Sequence, residues 1–296
     1  MSEPLVTVVT PSLNQGRWIR EAIESVLAQD YPRIEYRVLD GGSIDDTLDI
    51  LRGYGDRVRW TSGKDGGQAQ AIANGFAQTR GEIITWLNAD DAYTPGAIRR
   101  AVEAFAAEPE VGLVFGHAEF IDADGRPLGR AQHVVPLDDR DPLLTLGDCV
   151  VQPAAFFRRT AYDAVGGLDP ALHWTMDYDL WLRLARRCPA RFLDHVFARV
   201  RIMPSTKTAS GGWKRMHEIE SVVRRHGGSA LPAWFALEAA AMHARDTVAS
   251  ARQSQLRQAA ASAVAAVRTL ADPSTLAALA SSRTWRIVRQ RYRNTA

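Results

Sequence analysis

Cysteine is scarce: Cys149 and Cys188 are the only two in 296 residues, lie far apart and form no metal-ligand spacing. So few thiols in so long a chain suit a reducing compartment. No run of about 18 consecutive apolar residues occurs, so no segment is expected to span a bilayer. The N-terminal Met-Ser-Glu-Pro enters a strand-like run without a basic n-region, so no secretory signal is read. These absences predict a cytoplasmic protein. Charge of one sign is also lacking. A formal net charge of +2 selects no partner, and nucleic acid is not expected because basic residues cluster only at the extreme C-terminus. One further motif is missing. The segment Pro11-Ser12-Leu13-Asn14-Gln15-Gly16 offers a single glycine, which argues against the Gly-x-Gly-x-x-Gly turn of a nicotinamide dehydrogenase. A sugar-nucleotide pyrophosphorylase would need a Gly-rich, basic turn at the same place.

What is present is a regular alternation. Val6 to Thr10, Glu35 to Leu39, Arg57 to Thr61 and Ile83 to Leu87 read as strands. Helical spacing separates them: Arg17 to Ala28, a short helix from Asp45-Asp46 to Leu51, and Gln68 to Thr79. Thr94-Pro95 reads as a helix start, with Thr as N-cap and Pro at the first helical position. The alternation predicts an α/β fold with right-handed βαβ units and a mostly parallel central sheet flanked by helices. Ligands in such sheets bind beyond the carboxyl ends of the strands, here Thr10-Pro11, Asp40-Gly41-Gly42 and Asn88-Ala89-Asp90-Asp91. Beyond these lie one or two strands over Val111 to Ile121, a turn at Asp122 to Gly125, a loop over 130–150, a helix from Met176 to Arg187 and a strand from Arg191 to Ile202. Pro204 to Gly212 reads as a flexible loop. Residues 213–296 are Ala-rich and helical, which places a domain over 1–212 and a helical extension over 213–296.

Carboxylates carry the chemistry. Asp90 and Asp91 are adjacent at a strand end and repel each other unless a cation or donors offset them. Mg²⁺ or Mn²⁺ takes such ligands together with phosphate oxygens; a helix-capping pair is the plainer reading. Asp40 precedes two glycines that allow a tight turn, and can accept from a ligand or simply hold the turn. Asp65-Gly66-Gly67-Gln68 precedes a helix whose amides can face an anion. Asp177 and Asp179 stand in the first turn of a helix, where the dipole favours them as caps. A carboxylate there, packed over Leu180 and Leu184, also serves as a general base toward a hydroxyl that grows acidic on attack.

In order and spacing these signals resemble the family 2 glycosyltransferases of the GT-A fold, from about Leu5 to Thr208. The resemblance is carried by Val8 to Asn14, Ser25 to Pro32, Asp40 to Thr47, Asp65 to Gln68, Trp86 to Asp91 and Asp177 to Arg183. It implies an inverting, metal-dependent transfer from a nucleoside-diphosphate sugar, with UDP favoured over GDP or dTDP. The acceptor hydroxyl would belong to a glycan or a lipid-linked molecule, in the making of cell-surface polysaccharide or glycolipid. Residue by residue, Thr10, Pro11 and Asn14 match the nucleoside side, Asp40 the base contact, and Asp65 and Gly67 the donor-binding turn. Asp91, with Asp90, matches the Mg²⁺ or Mn²⁺ ligands, and Asp90 also approaches the ribose. Asp177 matches the base. Gln152 and Pro153 fall where acceptor contacts are expected, and Arg201, Ser205 and Lys207 match a segment that closes over the diphosphate.

Two positions depart from the family pattern. Asn88 stands where the metal motif often begins with Asp, and Met203 where a histidine is common; a thioether is a poor ligand for a hard cation. A non-catalytic nucleotide-sugar sensor of the same fold is the competing reading, and the joint presence of Asp40, Asp90, Asp91 and Asp177 speaks against it. The end of the chain adds one more signal. Residues 281–293 hold five arginines and no acid, with Trp285, Val288 and Tyr292 on one helical face. That pattern suits the surface of an anionic membrane at the inner face of the plasma membrane, or equally a basic helix packing Trp285 into the protein.

Overall fold

The computed structural model describes residues 3–131, 137, 141–252, 256–273 and 275–276. They form two compact units, residues 1–139 with 150–203, and residues 140–149 with 204–296.

The first unit begins with β1 (Val6–Ser12), α1 (Ile19–Leu27), β2 (Ile34–Asp40), α2 (Thr47–Gly53), β3 (Arg59–Ser62) and α3 (Gln68–Ala77). It continues with β4 (Ile83–Trp86), β5 (Ala92–Tyr93), α4 (Ala97–Ala107), β6 (Leu113–Ile121) and β7 (Pro127–Ala131). After α5 (Asp141–Thr145), which belongs to the second unit, come β8 (Ala155–Arg158), α6 (Arg159–Ala164), α7 (Met176–Leu184) and β9 (Ala190–Arg201). One sheet runs β3-β2-β1-β4-β8-β6-β9-β5, with β7 paired to β6. Its first four strands are parallel. Beyond β4 the sheet is mixed, because β8 enters antiparallel between β4 and β6 while β9 runs parallel to β6.

Burial explains the order. Every residue of β1 is buried, as expected of a central strand of a parallel sheet covered on both faces. Ile19, Ala22, Ile23 and Val26 put the apolar stripe of α1 against the core. On α3, Gly75 lets the helix approach the sheet: a Cβ there would lie 2.7 Å from Val9 Cγ1.

The expected helix start at Thr94-Pro95 is not where α4 begins. Thr94 is held in the sheet beside β5, its N–H bonded to Phe197 O at 2.9 Å and its hydroxyl to Val196 O at 2.5 Å. Gly96, in the left-handed region at φ 77, then turns the chain into α4, and Gln29 Oε1 accepts from Ile98 N–H at 3.1 Å.

In the second unit, α8 (Lys207–Ser210) occupies part of the stretch read as a flexible loop. It is followed by α9 (Gly212–Arg225), α10 (Ala233–Arg252) and α11 (Leu256–Ala271). Within this unit Arg215 pairs with Glu238 at 2.7 Å and Trp234 N–H bonds Leu146 O. Among the described residues no helix is long and apolar enough to cross a membrane. Residues 281–293 lie outside the described residues.

Candidate active site

Parallel pairing brings three strand ends into one row. Ser12 at the end of β1 is level with Asp40 at the end of β2, which is level with Ser62 at the end of β3. The end of β4, leading to Asn88–Asp91, lies on the other side of β1.

The turn after β1 is closed to a phosphate. In a dinucleotide fold its amides would cradle the anion. Here the N–H groups of Asn14, Gln15 and Gly16 donate to Ser43 Oγ at 2.7 Å, Thr47 Oγ1 at 3.0 Å and Asp45 Oδ2 at 2.9 Å. Asn14 adopts φ 53 and returns its own Oδ1 to the N–H of Ile44 at 2.9 Å. The segment Ser43 to Thr47 is thus a clamp on the first turn, so charge on a donor diphosphate has to be met elsewhere.

Asp40 sits beneath that clamp, 3% exposed. Its Oδ2 accepts from Gly42 N–H, Ser43 N–H and Ser62 Oγ, and its Oδ1 from Ser43 Oγ. These four donors engage both carboxylate oxygens, so Asp40 builds the loop, with Gly42 at φ 90. Asp40→Ala would leave buried donors unmet and is expected to cost on the order of 3 kcal/mol of stability in a urea denaturation; an unchanged midpoint would contradict this. Asp65 is different. It is exposed, accepts through Oδ1 from Gly67 N–H at 2.8 Å, and carries Oδ2 where a Cβ on Gly41 would be 3.2 Å away. Of the two carboxylates at this end, Asp65 keeps acceptor capacity beside the Asp40–Gly42 loop. Gly67 takes φ 103 to start α3. Thr10 and Pro11 are buried, and the Thr10 hydroxyl is engaged with Tyr36 at 3.0 Å.

The pair after β4 is built with care. Asp91 is 3% exposed; its Oδ1 accepts from Arg201 N–H at 2.9 Å and its Oδ2 from Asn88 Nδ2 at 3.0 Å. Asn88 also donates to Gln152 Oε1 at 3.1 Å and accepts from Gln68 Nε2 at 2.8 Å. An Asp at 88 would lose both donations and face Asp91 with a third negative charge, which explains the asparagine. Gln152, expected at an acceptor site, is instead buried under this loop, its Nε2 on Trp86 O at 2.7 Å. Pro153 is buried with it.

Burial pushes the Asp91 carboxyl well above the usual carboxylate range, and the charge of Asp90 adds to this. Burial raises Asp90 too, against an opposing pull from Arg201. Among the described residues no ion pair reaches either carboxylate: the guanidinium of Arg201 is paired with Glu21 at 2.5 Å. Two hard oxygen ligands without an ion-pair partner among the described residues suit a divalent cation. Among the described residues no group of three or more His, Cys, Asp and Glu side chains gathers, so the remaining ligands would come from the donor's phosphates. The sign for stability follows. Both folded-state values lie above the unfolded ones, so the cation-free protein loses stability as pH rises through them and keeps it below the ordinary carboxylate value. Thermal melts from about pH 4 to 7 are expected to show that decline in chelator and a weaker one with Mn²⁺. Parallel curves would contradict it.

Arg201 does not point at open space. It is 3% exposed; besides Glu21, its side chain donates to the carbonyls of Asp90, Asp122 and Ala123 at 3.0, 2.9 and 3.2 Å. Arg201, expected at the diphosphate, thus has its charge paired with Glu21 and three further N–H donors on backbone carbonyls. Ser205, exposed, and Lys207, at the start of α8, fall in the second unit.

On α7 the two acids part company. Asp179, 1% exposed, is paired with Arg183 at 2.8 Å, and Arg183 ties the helix to Val165 O and Gly167 O. Asp177 is half-buried and accepts from the N–H of Tyr178 at 2.8 Å. Leu180 and Leu184 are fully buried below it. Trp181, on the same helix face and about 5–6 Å from Asp177, stacks on Trp86 with centroids 6.0 Å apart. Asp177 is thereby one turn from a contact with the last residue of β4, the strand that leads to Asp91.

The family model described as Glycosyl transferase family 2 matches residues 7–166. An uncharacterized glycosyltransferase of Rickettsia felis is 32% identical over 210 residues; the match covers 67% of this chain and 34% of that protein's length. The fold is that of GT-A glycosyltransferases. S. aureus TarS 1–349, solved in complex with UDP-GlcNAc, matches with TM-score 0.61 and 18% identity over 78% of this chain and 69% of its own. The mannosyltransferase PcManGT from Pyrobaculum calidifontis, solved with GDP-Man and Mn²⁺, matches with TM-score 0.59 and 20% identity over 100% and 86%.

Proposed function

The chain belongs to glycosyl transferase family 2, and from that premise we propose that it moves a sugar, with inversion, from a nucleoside-diphosphate sugar to an acceptor hydroxyl. UDP is the favoured nucleotide, and the acceptor is a glycan or a lipid-linked molecule of cell-surface polysaccharide or glycolipid synthesis. One observation carries the reading: two adjacent carboxylates, Asp91 buried and Asp90 half-buried, stand at the end of β4 beside a row of strand-end loops, with no ion-pair partner among the described residues. The structures solved with UDP-GlcNAc and with GDP-Man and Mn²⁺ support the donor class and the cation.

Asp91 and Asp90 would hold Mg²⁺ or Mn²⁺, which when bound supplies Lewis-acid stabilisation of charge on the departing diphosphate. Pro11, the Asp40–Gly42 loop and Asp65 would line the nucleoside. Asp177 takes the proton of the acceptor hydroxyl as its oxygen bonds to the anomeric carbon. The bond from that carbon to the diphosphate oxygen breaks on the opposite face, and the electron pair leaves with the nucleoside diphosphate. A single in-line displacement inverts the centre without a covalent enzyme intermediate. Residues 1–212 would carry the reaction and 213–296 would form a helical extension, with 281–293 on an anionic membrane surface at the cytoplasmic face.

Thermal shift with UDP, GDP and dTDP, each with and without Mn²⁺, tests the donor reading. A nucleotide at 100 times its Kd stabilises by about 2.7 kcal/mol, and UDP with Mn²⁺ is expected to give the largest shift. No shift with any pair would sink it. Flotation with anionic liposomes of the full chain, but not of residues 1–280, is the outcome the membrane contact requires.

A further inference from the structure

We propose, on the glycosyltransferase reading just given, that Arg201 is a positioning residue for the cation-binding pair, anchored by Glu21, and makes no contact with the donor. Arg201 grips both members of the pair by different means: its main-chain N–H meets Asp91 Oδ1 at 2.9 Å and its Nε meets the Asp90 carbonyl at 3.0 Å. The rest of the guanidinium faces away from the carboxylates. Nη1 divides between Asp122 O and Ala123 O, and Nη2 reaches Glu21 Oε2.

A second arginine duplicates the anchorage. Arg199, two residues earlier on β9, meets Glu21 Oε1 at 3.3 Å and Gly125 O at 2.6 Å. The two oxygens of Glu21 are thus shared between two arginines that both donate into the turn joining β6 to β7. Trp18 closes the group, its Nε1 on Ala123 O at 3.1 Å and its ring 5.8 Å from the Arg201 guanidinium. Three segments meet the side chain that the end of β9 presents: α1, the β4–β5 loop and the β6–β7 turn. A planar fork serves acceptors in three directions at once; an ammonium group is a point donor and does not. The consequence is a fixed backbone at Asp90–Asp91, and outer-shell partners of this kind typically alter cation affinity 10–100-fold.

The test is Mn²⁺ binding followed by the EPR signal of the free ion, with UDP present, on wild type, Arg201→Met, Arg201→Lys and Glu21→Gln. UDP affinity is measured separately at saturating Mn²⁺. Arg201→Met is expected to weaken Mn²⁺ binding by about 10–100-fold, Arg201→Lys to recover part of it, and UDP affinity at saturating Mn²⁺ to stay unchanged. Glu21→Gln, which keeps the arginine and removes one charge, carries the test if Arg201→Met does not fold, and is expected to weaken Mn²⁺ binding by a smaller factor. Wild-type Mn²⁺ affinity in the folded variants overturns the proposal. So does a loss of UDP affinity at saturating Mn²⁺ in Arg201→Met, which would make the arginine a donor contact while leaving the glycosyltransferase reading intact. Failure of the wild type to bind Mn²⁺ with UDP is the distinct result that removes the metal reading and this proposal with it.

Discussion

Asp177→Asn is expected to lower nucleoside diphosphate release by on the order of 10²–10⁴-fold, the usual contribution of a general base, and to leave donor affinity intact. The amide is nearly isosteric with the carboxylate and can still accept from the N–H of Tyr178. It cannot take a proton from an attacking hydroxyl. Asp179 is no substitute one turn-half away, because its charge is committed to Arg183. The prediction is checked by steady-state release of nucleoside diphosphate together with calorimetry of UDP and Mn²⁺ binding on the same preparation. Lost UDP binding at equal folding would move Asp177 to another role.

Asp91→Asn is expected to fail earlier, at binding. Without the second carboxylate the pair offers one charged ligand, and Lewis-acid stabilisation worth several kcal/mol is lost, a fall in turnover on the order of 10³-fold or more. The diagnostic is the interplay of ligands: in wild type Mn²⁺ strengthens UDP binding, and in Asp91→Asn it does not. The closed first turn gives the reason, since the amides of Asn14, Gln15 and Gly16 are already taken. Strong, Mn²⁺-independent UDP binding in the variant would contradict the account.

Much of this site was legible in the chain. Strand ends could be read because apolar β-branched runs stop abruptly at Asp40 and Asn88, and the doubly wound order then sets those ends side by side. Asp177 could be read as a first-turn carboxylate at the start of a helix whose apolar side is buried. Side-chain direction could not. Arg201 looks like a phosphate ligand until Glu21, 180 residues earlier, appears beneath it. Gln152 looks like an acceptor contact until its amide is found on Trp86 O and Asn88. Asp40 carries the same lesson, since four donors from its own loop and from Ser62 claim it. Polar residues within one strand-end loop form local bonds that spacing hints at, but long-range partners decide which groups remain for a ligand. The two-residue strand β5 was missed for a related reason: it exists only through pairing with β9.

The claim on which everything else depends is that the cation held by Asp91 and the proton acceptor Asp177 face one cleft. A fluorinated thiol tag on Asp177→Cys, in a Cys188→Ser background, measures this through paramagnetic broadening of its NMR signal by Mn²⁺. With UDP present the signal is predicted to broaden strongly on adding Mn²⁺, and to stay sharp when Asp91→Asn is added. A sharp signal while Mn²⁺ and UDP are bound would place the two groups apart and contradict the account.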